Sequence, residues 1–206
     1  AFDVARDIKG KFPNIHCVVL TPFSHGITKR MQNEDLSIFD YVFCWLGNTN
    51  LILSIIKLIE DKMNLEHDIQ EAGVQMILLV EDSIRFYSSI LPNLYNYILE
   101  QSKNFSKEAL NRHAATMRMR GRPKVVLART YEEAKKLYDK YSDNTLGVIS
   151  DARFPLKSAA KAFGNVVDED VQPKHATDTF GREKCPDAGL QLFRYIRKND
   201  SFVPLI

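Results

Sequence analysis

The sequence predicts an α/β fold built on parallel strands, and three observations carry that prediction. Short apolar runs of strand length ("IHCVVL", "DYVFCW", "MILLV", "KVVLA" and "LGVIS") are separated by longer amphipathic stretches of helical period. The runs are apolar almost throughout rather than alternating, the pattern of strands covered on both faces. They stop on residues suited to turns and helix starts: Thr21–Pro22, Gly47–Asn48, Glu81–Asp82 and Asp151. Strands alternating with helices in this way imply a parallel sheet between helical layers.

Taken in order, Phe2, Val4, Ala5 and Ile8 predict a helix over 2–11, stopped by Pro13 and Asn14. A strand over 15–20 follows, then a polar stretch read as helical around Ile27 to Asp35. The second strand, "DYVFCW", turns at Gly47 and Asn48 into the amphipathic helix "NLILSIIKLIEDKM". Residues 64–73 read as a polar connector ending at Gly73. The strand "MILLV" leads through Glu81 and Asp82 into a helix from about Ile84 to Gln101, with a kink expected at Pro92. "KVVLA" is the next strand. Thr130 and Glu133 stand as a capping box at the start of "TYEEAKKLYDKY". "LGVIS" then ends at Asp151, and a long polar segment precedes the helix "DAGLQLFRYIRK". "VPLI" opens one more strand.

The two ends of the chain repeat one another. Shifted by 188 positions, Phe2, Val4, Ile8 and Ile15 fall on Leu190, Leu192, Ile196 and Val203, while Arg6 meets Arg194 and Lys9 meets Arg197. The same helix–strand unit is therefore expected twice, once from each of two related domains.

Composition narrows the function classes. A formal net charge of +2 on 206 residues gives no general attraction to nucleic acid or membrane. Three cysteines, Cys17, Cys44 and Cys185, are odd in number and irregular in spacing, which argues for a reducing cytoplasm over a disulfide framework. "LILSIIKLIE" is interrupted by Lys57 and Glu60 and is too short to span a bilayer. No signal peptide is read at the start, where "AFDVARDIKG" resembles the middle of an amphipathic helix, as in an excised fragment.

Ligands of parallel α/β sheets sit at the carboxyl ends of the strands. Glu81 and Asp82 end one strand and Asp151 ends another. An acid pair at a helix start has an ordinary explanation in the helix dipole. A third carboxylate at a second strand end adds another: a hard-oxygen site suited to magnesium, beside which one carboxylate could attack phosphorus.

With those residues in place, "ILLVEDS" and "GVISDARFP" resemble the first and third strands of the receiver domain of two-component response regulators. The resemblance implies a flavodoxin-like, three-layer α/β/α fold with strand order 2-1-3-4-5. It implies Asp151 as phosphoacceptor, Asp82 and Glu81 at the metal, and the backbone carbonyl of Arg153 as a further ligand. Pro155 and "DAG" at 187–189 also match the family. The opening 63 residues resemble the other end of a receiver, with Thr21 as the switch hydroxyl of that first unit. Where receivers close their fifth strand with Lys–Pro, this sequence has Cys44 and Trp45, so the first unit reads as degenerate.

The expected organisation is thus 1–63 as the C-terminal half of a degenerate receiver, 64–73 as connector, and 74–206 as the N-terminal part of a second receiver. Two assemblies fit: two incomplete neighbours, or one composite, circularly permuted sheet in which 1–63 supplies strands four and five. The composite, or a domain-swapped homodimer, leaves fewer unpaired strand edges and is preferred.

A closer resemblance covers nearly the whole chain. "VVLTPFS", "NEDLSIFDYVFCWLGN", "VQMILLVEDSIRFYSSILPNLY", "MRMRGRPKVVLARTYEEA" and "GVISDARFP" resemble the tandem receiver-like region of Bacteroidetes phosphoenolpyruvate synthase / pyruvate phosphate dikinase-like proteins. It implies a regulatory or docking module for a parent phosphotransferase, with that parent's catalytic domains as partners. Catalysis itself is not expected in this chain, which has neither an ATP-grasp segment nor a phosphohistidine motif. The alternative is a fully active receiver phosphorylated by a histidine kinase or a small phosphodonor. A free-standing aspartate phosphohydrolase would need a second Asp where Arg153 stands.

Two insertions depart from the receiver pattern. Residues 101–124 hold seven Lys/Arg and one Glu. With Phe105 as the lone aromatic, they favour a solvated helical extension or docking surface over nucleic-acid binding. Residues 156–186 balance five acids against five bases and contain Gly164, Pro173 and Gly181. The five histidines lack metal-ligand spacing. Tyr87, Tyr95 and Tyr97 are expected to pack, and Trp45 to fill core.

Overall fold

The computed structural model describes residues 2–22, 38–157, 177–178 and 182–206. The expected helix around Ile27 to Asp35 and most of the 156–186 insertion, with His25, His175, Gly164, Pro173 and Gly181, lie outside the described residues.

The chain is α/β, with α1 (Phe2–Lys11), β1 (Val18–Pro22), β2 (Tyr41–Trp45), α2 (Asn50–Ala72), β3 (Met76–Val80), α3 (Ile84–Lys107), α4 (Arg112–Arg120), β4 (Lys124–Ala128), α5 (Tyr131–Tyr141), β5 (Thr145–Ser150), β6 (Phe154–Pro155), β7 (Lys184–Cys185) and α6 (Ala188–Asn199). Strands β4, β3 and β5 form a parallel sheet in that order. The chain end continues it, because Leu205 bridges Val148 in parallel and Ile206 exchanges backbone hydrogen bonds with β5.

Side-chain alternation along β3 divides the core. Met76, Leu78 and Val80 join Ala134 and Tyr138 of α5 and Leu192 and Ile196 of α6. Leu79 faces the other way with Tyr87, Leu91 and Tyr95 of α3 and Leu51 and Leu58 of α2. The sheet is therefore covered on both faces, as its continuously apolar strands require. The Thr130 hydroxyl caps α5 by accepting from the Glu133 N–H at 3.2 Å, and the Glu133 carboxylate accepts from the Arg129 N–H at 2.8 Å.

Strands β1 and β2 make a separate parallel pair, Val18 opposite Tyr41 through Pro22 opposite Trp45. This overturns the composite sheet: the edge of β5 that 1–63 would have extended is occupied by residues 204–206 of the same chain. The pair packs instead on α3. Val42, Phe43 and Cys44 share a core with Tyr87, whose hydroxyl donates to the Val42 carbonyl, and Phe43 meets the Tyr87 ring edge-on at 5.3 Å.

The 64–73 connector is also corrected. Helix α2 runs to Ala72, and Gly73 closes it in the left-handed conformation at φ 60° that glycine adopts without strain. Its polar last turns are held from outside, by Lys124 to Asp68 at 2.6 Å and Lys140 to Glu66 at 3.1 Å. Asp61, fully buried on α2, ties the same helix to the rim of β4. It binds Arg122 at 2.6 Å, the Tyr95 hydroxyl at 2.9 Å and the Val125 N–H at 2.9 Å. Two of the seven basic residues of 101–124, Arg122 and Lys124, are thus buried partners of acids. The rest of that insertion is helical: α3 continues to Lys107, and α4 stands out with no buried residue. Tyr87 and Tyr95 are buried as expected, whereas Tyr97 and Trp45 are exposed; Trp45 is a rim residue, not core.

Candidate metal centre

The register of β3 and β5 sets Val80 opposite Ser150. The next residues, Glu81 and Asp151, therefore leave the sheet side by side at its carboxyl edge. The Asp151 N–H donates to the Val80 carbonyl at 2.9 Å, and the Glu81 N–H to Ala128 at 3.0 Å, so both backbones are fixed before their side chains diverge. Glu81, Asp82 and Asp151 each bring one carboxylate oxygen within 4.8 Å of the other two. Glu81 and Asp82 are buried and Asp151 is half-buried.

Each carboxylate has a different partner. Glu81 accepts from the Ser83 N–H at 2.9 Å, at the start of α3, so the helix-start explanation of the acid pair holds for this residue as well. Asp151 Oδ1 accepts from the Ala152 N–H at 2.6 Å. Asp82 Oδ1 accepts from Lys184 Nζ at 3.0 Å. Asp82 Oδ2 lies 2.7 Å from the same ammonium, but out of line for a hydrogen bond, and has no other polar partner among the described residues.

Burial is the main force raising the Glu81 carboxyl to about 7. The neighbouring Asp151 and Asp82 charges add to it, and the Ser83 N–H and Lys184 oppose it. Asp82 is raised too, by burial first, against the pull of Lys184. Three acids facing one ammonium leave a formal charge of −2 when all are ionised. Buried like charges of this kind are costly unless a cation offsets them. An all-oxygen donor set with an under-bonded buried Asp82 oxygen suits a hard divalent cation rather than zinc or copper. The cluster could hold a metal ion.

Gly189 shapes the same hollow. A Cβ there would lie 2.3 Å from the Asp151 carbonyl oxygen and 3.1 Å from the Ala152 Cα, so α6 reaches the Asp151 loop only with glycine. Its N–H donates to the Ala152 carbonyl at 3.1 Å. Of the other sequence candidates, Arg153 is exposed in the short loop before β6. Thr21 belongs to the β1–β2 pair, not to the sheet that carries the acids, and its hydroxyl donates to the Pro22 carbonyl at 3.2 Å. Cys44 is buried beside α3. Burial raises its thiol, and its N–H donates to Ser88 Oγ at 2.9 Å. It packs and supplies no charge.

Lys184 is a residue of this cluster that sequence reasoning missed. It sits in the long insertion, 102 positions from Asp82, on a two-residue strand with no periodicity to reveal it. Gly189 was legible only through "DAG".

Fold and site together define a parallel α/β protein with a buried acidic cluster at the carboxyl ends of adjacent strands. No family model, no curated protein and no solved structure matches the chain. No helix among the described residues is long and apolar enough to cross a membrane.

Proposed function

We propose that this chain is a flavodoxin-like, receiver-like regulatory and docking module of a phosphoenolpyruvate synthase-like phosphotransferase. In this reading its second unit binds magnesium and accepts a phosphoryl group on Asp151. The observation that carries the proposal is the approach of the Glu81, Asp82 and Asp151 oxygens to within 4.8 Å at neighbouring strand ends. The spatial order β4, β3, β5 and then 204–206 supports it, since it matches the first four strands of a 2-1-3-4-5 sheet.

Glu81, Asp82 and the Arg153 carbonyl would hold the ion with Asp151. Bound there, magnesium supplies positive charge to the phosphoryl oxygens of a donor. Asp151 is the nucleophile because it is the most exposed of the three acids. One of its carboxylate oxygens attacks the phosphorus of an acyl phosphate. The bond from phosphorus to the acyl oxygen breaks, the acyl group leaves as a carboxylate, and Asp151 becomes a mixed anhydride. The first unit, with Thr21 but without a cationic side chain at Cys44, serves as a contact surface for the parent's catalytic domains.

Incubation with radiolabelled acetyl phosphate and magnesium tests this. Label is expected on the wild-type chain and absent from Asp151→Ala. Equal label on both proteins, or none on either, overturns Asp151 as the acceptor.

A further inference from the structure

We propose that Lys184 is a built-in competitor for the acidic hollow: its ammonium holds Asp82 while the site lacks a metal, and a divalent cation must displace it to bind. The inference rests on the metal reading above and concerns how that site is regulated.

Asp82 is fully buried, and both of its oxygens lie within 3.0 Å of Lys184 Nζ. A divalent ion ligated by the same carboxylate would sit at roughly 2.0–2.6 Å from one of those oxygens. The two cations would then share one buried carboxylate at no more than about 5 Å from each other, where repulsion is screened little. The Asp82 oxygen nearest the ammonium is also the one without a hydrogen bond among the described residues. Lys184 thus offsets the charge of Asp82 without completing its coordination, a state that a better-placed cation can replace.

The backbone carrying Lys184 is anchored, so the side chain is the moving part. Strand β7 pairs antiparallel with β6, Lys184 opposite Pro155 and Cys185 opposite Phe154, and Phe154 is fully buried in the core beneath the sheet. On the other side Arg182 clamps Asp178: the Arg182 N–H donates to Oδ1 and Nε to Oδ2, each at 2.7 Å. Between these anchors the four-carbon stem of Lys184 can swing outward while the ribbon stays in place. Strand β6 begins three residues after Asp151, so the ribbon that carries the competitor is continuous with the loop that carries a ligand.

Two measurements on the full chain test the proposal. Binding of Mn2+, followed by electron paramagnetic resonance, is compared among wild type, Lys184→Met and Lys184→Arg. Lys184→Met is expected to bind at least tenfold more tightly, and Lys184→Arg to stay within about threefold of wild type. In parallel, acetylation of lysines in wild type is mapped by mass spectrometry with and without Mn2+. Labelling of Lys184 should rise severalfold with the ion while that of Lys198 stays constant, a readout that needs no variant to fold. Mn2+ binding with unchanged affinity in Lys184→Met, or unchanged Lys184 labelling, overturns the competition and leaves the metal site standing. No Mn2+ binding in any of the proteins overturns the metal site itself and the competition with it.

Discussion

Val4 and Leu192 hold matching places in the two helix–strand units, yet Val4 is 61% exposed and Leu192 is fully buried. Ile8 and Ile196 repeat the contrast at 37% and 0%. Helix α6 lies on a sheet whose β3 and β5 present Met76, Leu78 and Val148 to it. Helix α1 buries only Ala5, and among the described residues its strand β1 has β2 alone as neighbour. An amphipathic pattern states which face could be buried. A completed sheet decides whether it is. The functional contrast runs parallel: the carboxyl edge of the larger sheet gathers three acids, whereas β2 ends on a packed thiol and an exposed indole.

The largest expected effect breaks the tie between the two regions. Asp61→Ala leaves Arg122 and Lys124 buried without their shared acid and strips the rim of β4 of a hydrogen bond. It should cost about 3–5 kcal/mol in urea unfolding. The contrast between the two helices is tested directly by Leu192→Ala, expected to cost about 2–5 kcal/mol. Val4→Ala should stay within about 0.5 kcal/mol. Equal losses would show that α1 is as well covered as α6.

Gly189→Ala forces α6 away from the Asp151 carbonyl and should cost about 1–3 kcal/mol. It should also weaken divalent-ion binding, measured by calorimetry, because Asp151 moves with its loop. A glycine replaceable without effect would mean that the close approach does not position Asp151.

The most gradual effect is a pH slope. Glu81 is raised from 4.5 to about 7 in the folded chain, so between these values the folded state holds a proton that the unfolded state has lost. Its contribution is complete below about pH 4.5 and is lost as pH rises through 7, at no more than about 1.4 kcal/mol per pH unit. Metal-free urea midpoints should fall across that window. Glu81→Gln should flatten the slope, and ion affinity should rise over the same range as the proton stops competing.

Much of this was legible because it is local. Apolar runs located β2 through β5, Thr130 and Glu133 located the start of α5, and three acids at two strand ends located the hollow. The misses share a cause in distance along the chain. Residues 64–72 look like a connector because the partners that hold them helical, Lys124 and Lys140, lie far away in sequence. Arg122 and Lys124 look like part of a basic surface until Asp61 and Asp68 are placed beside them. The composite sheet failed because a three-residue segment, 204–206, suffices to occupy the edge of β5. Lys184 could not be found from spacing, since only tertiary pairing brings its ribbon to Asp82.

The central claim is that the three carboxylates form one divalent-cation site, and a crystal soaked in Mn2+ tests it most directly. A single anomalous difference peak within roughly 2.0–2.6 Å of oxygens from Glu81, Asp82 or Asp151 is the predicted result. Manganese bound only elsewhere on the chain, or no peak in the hollow at saturating ion, would contradict it.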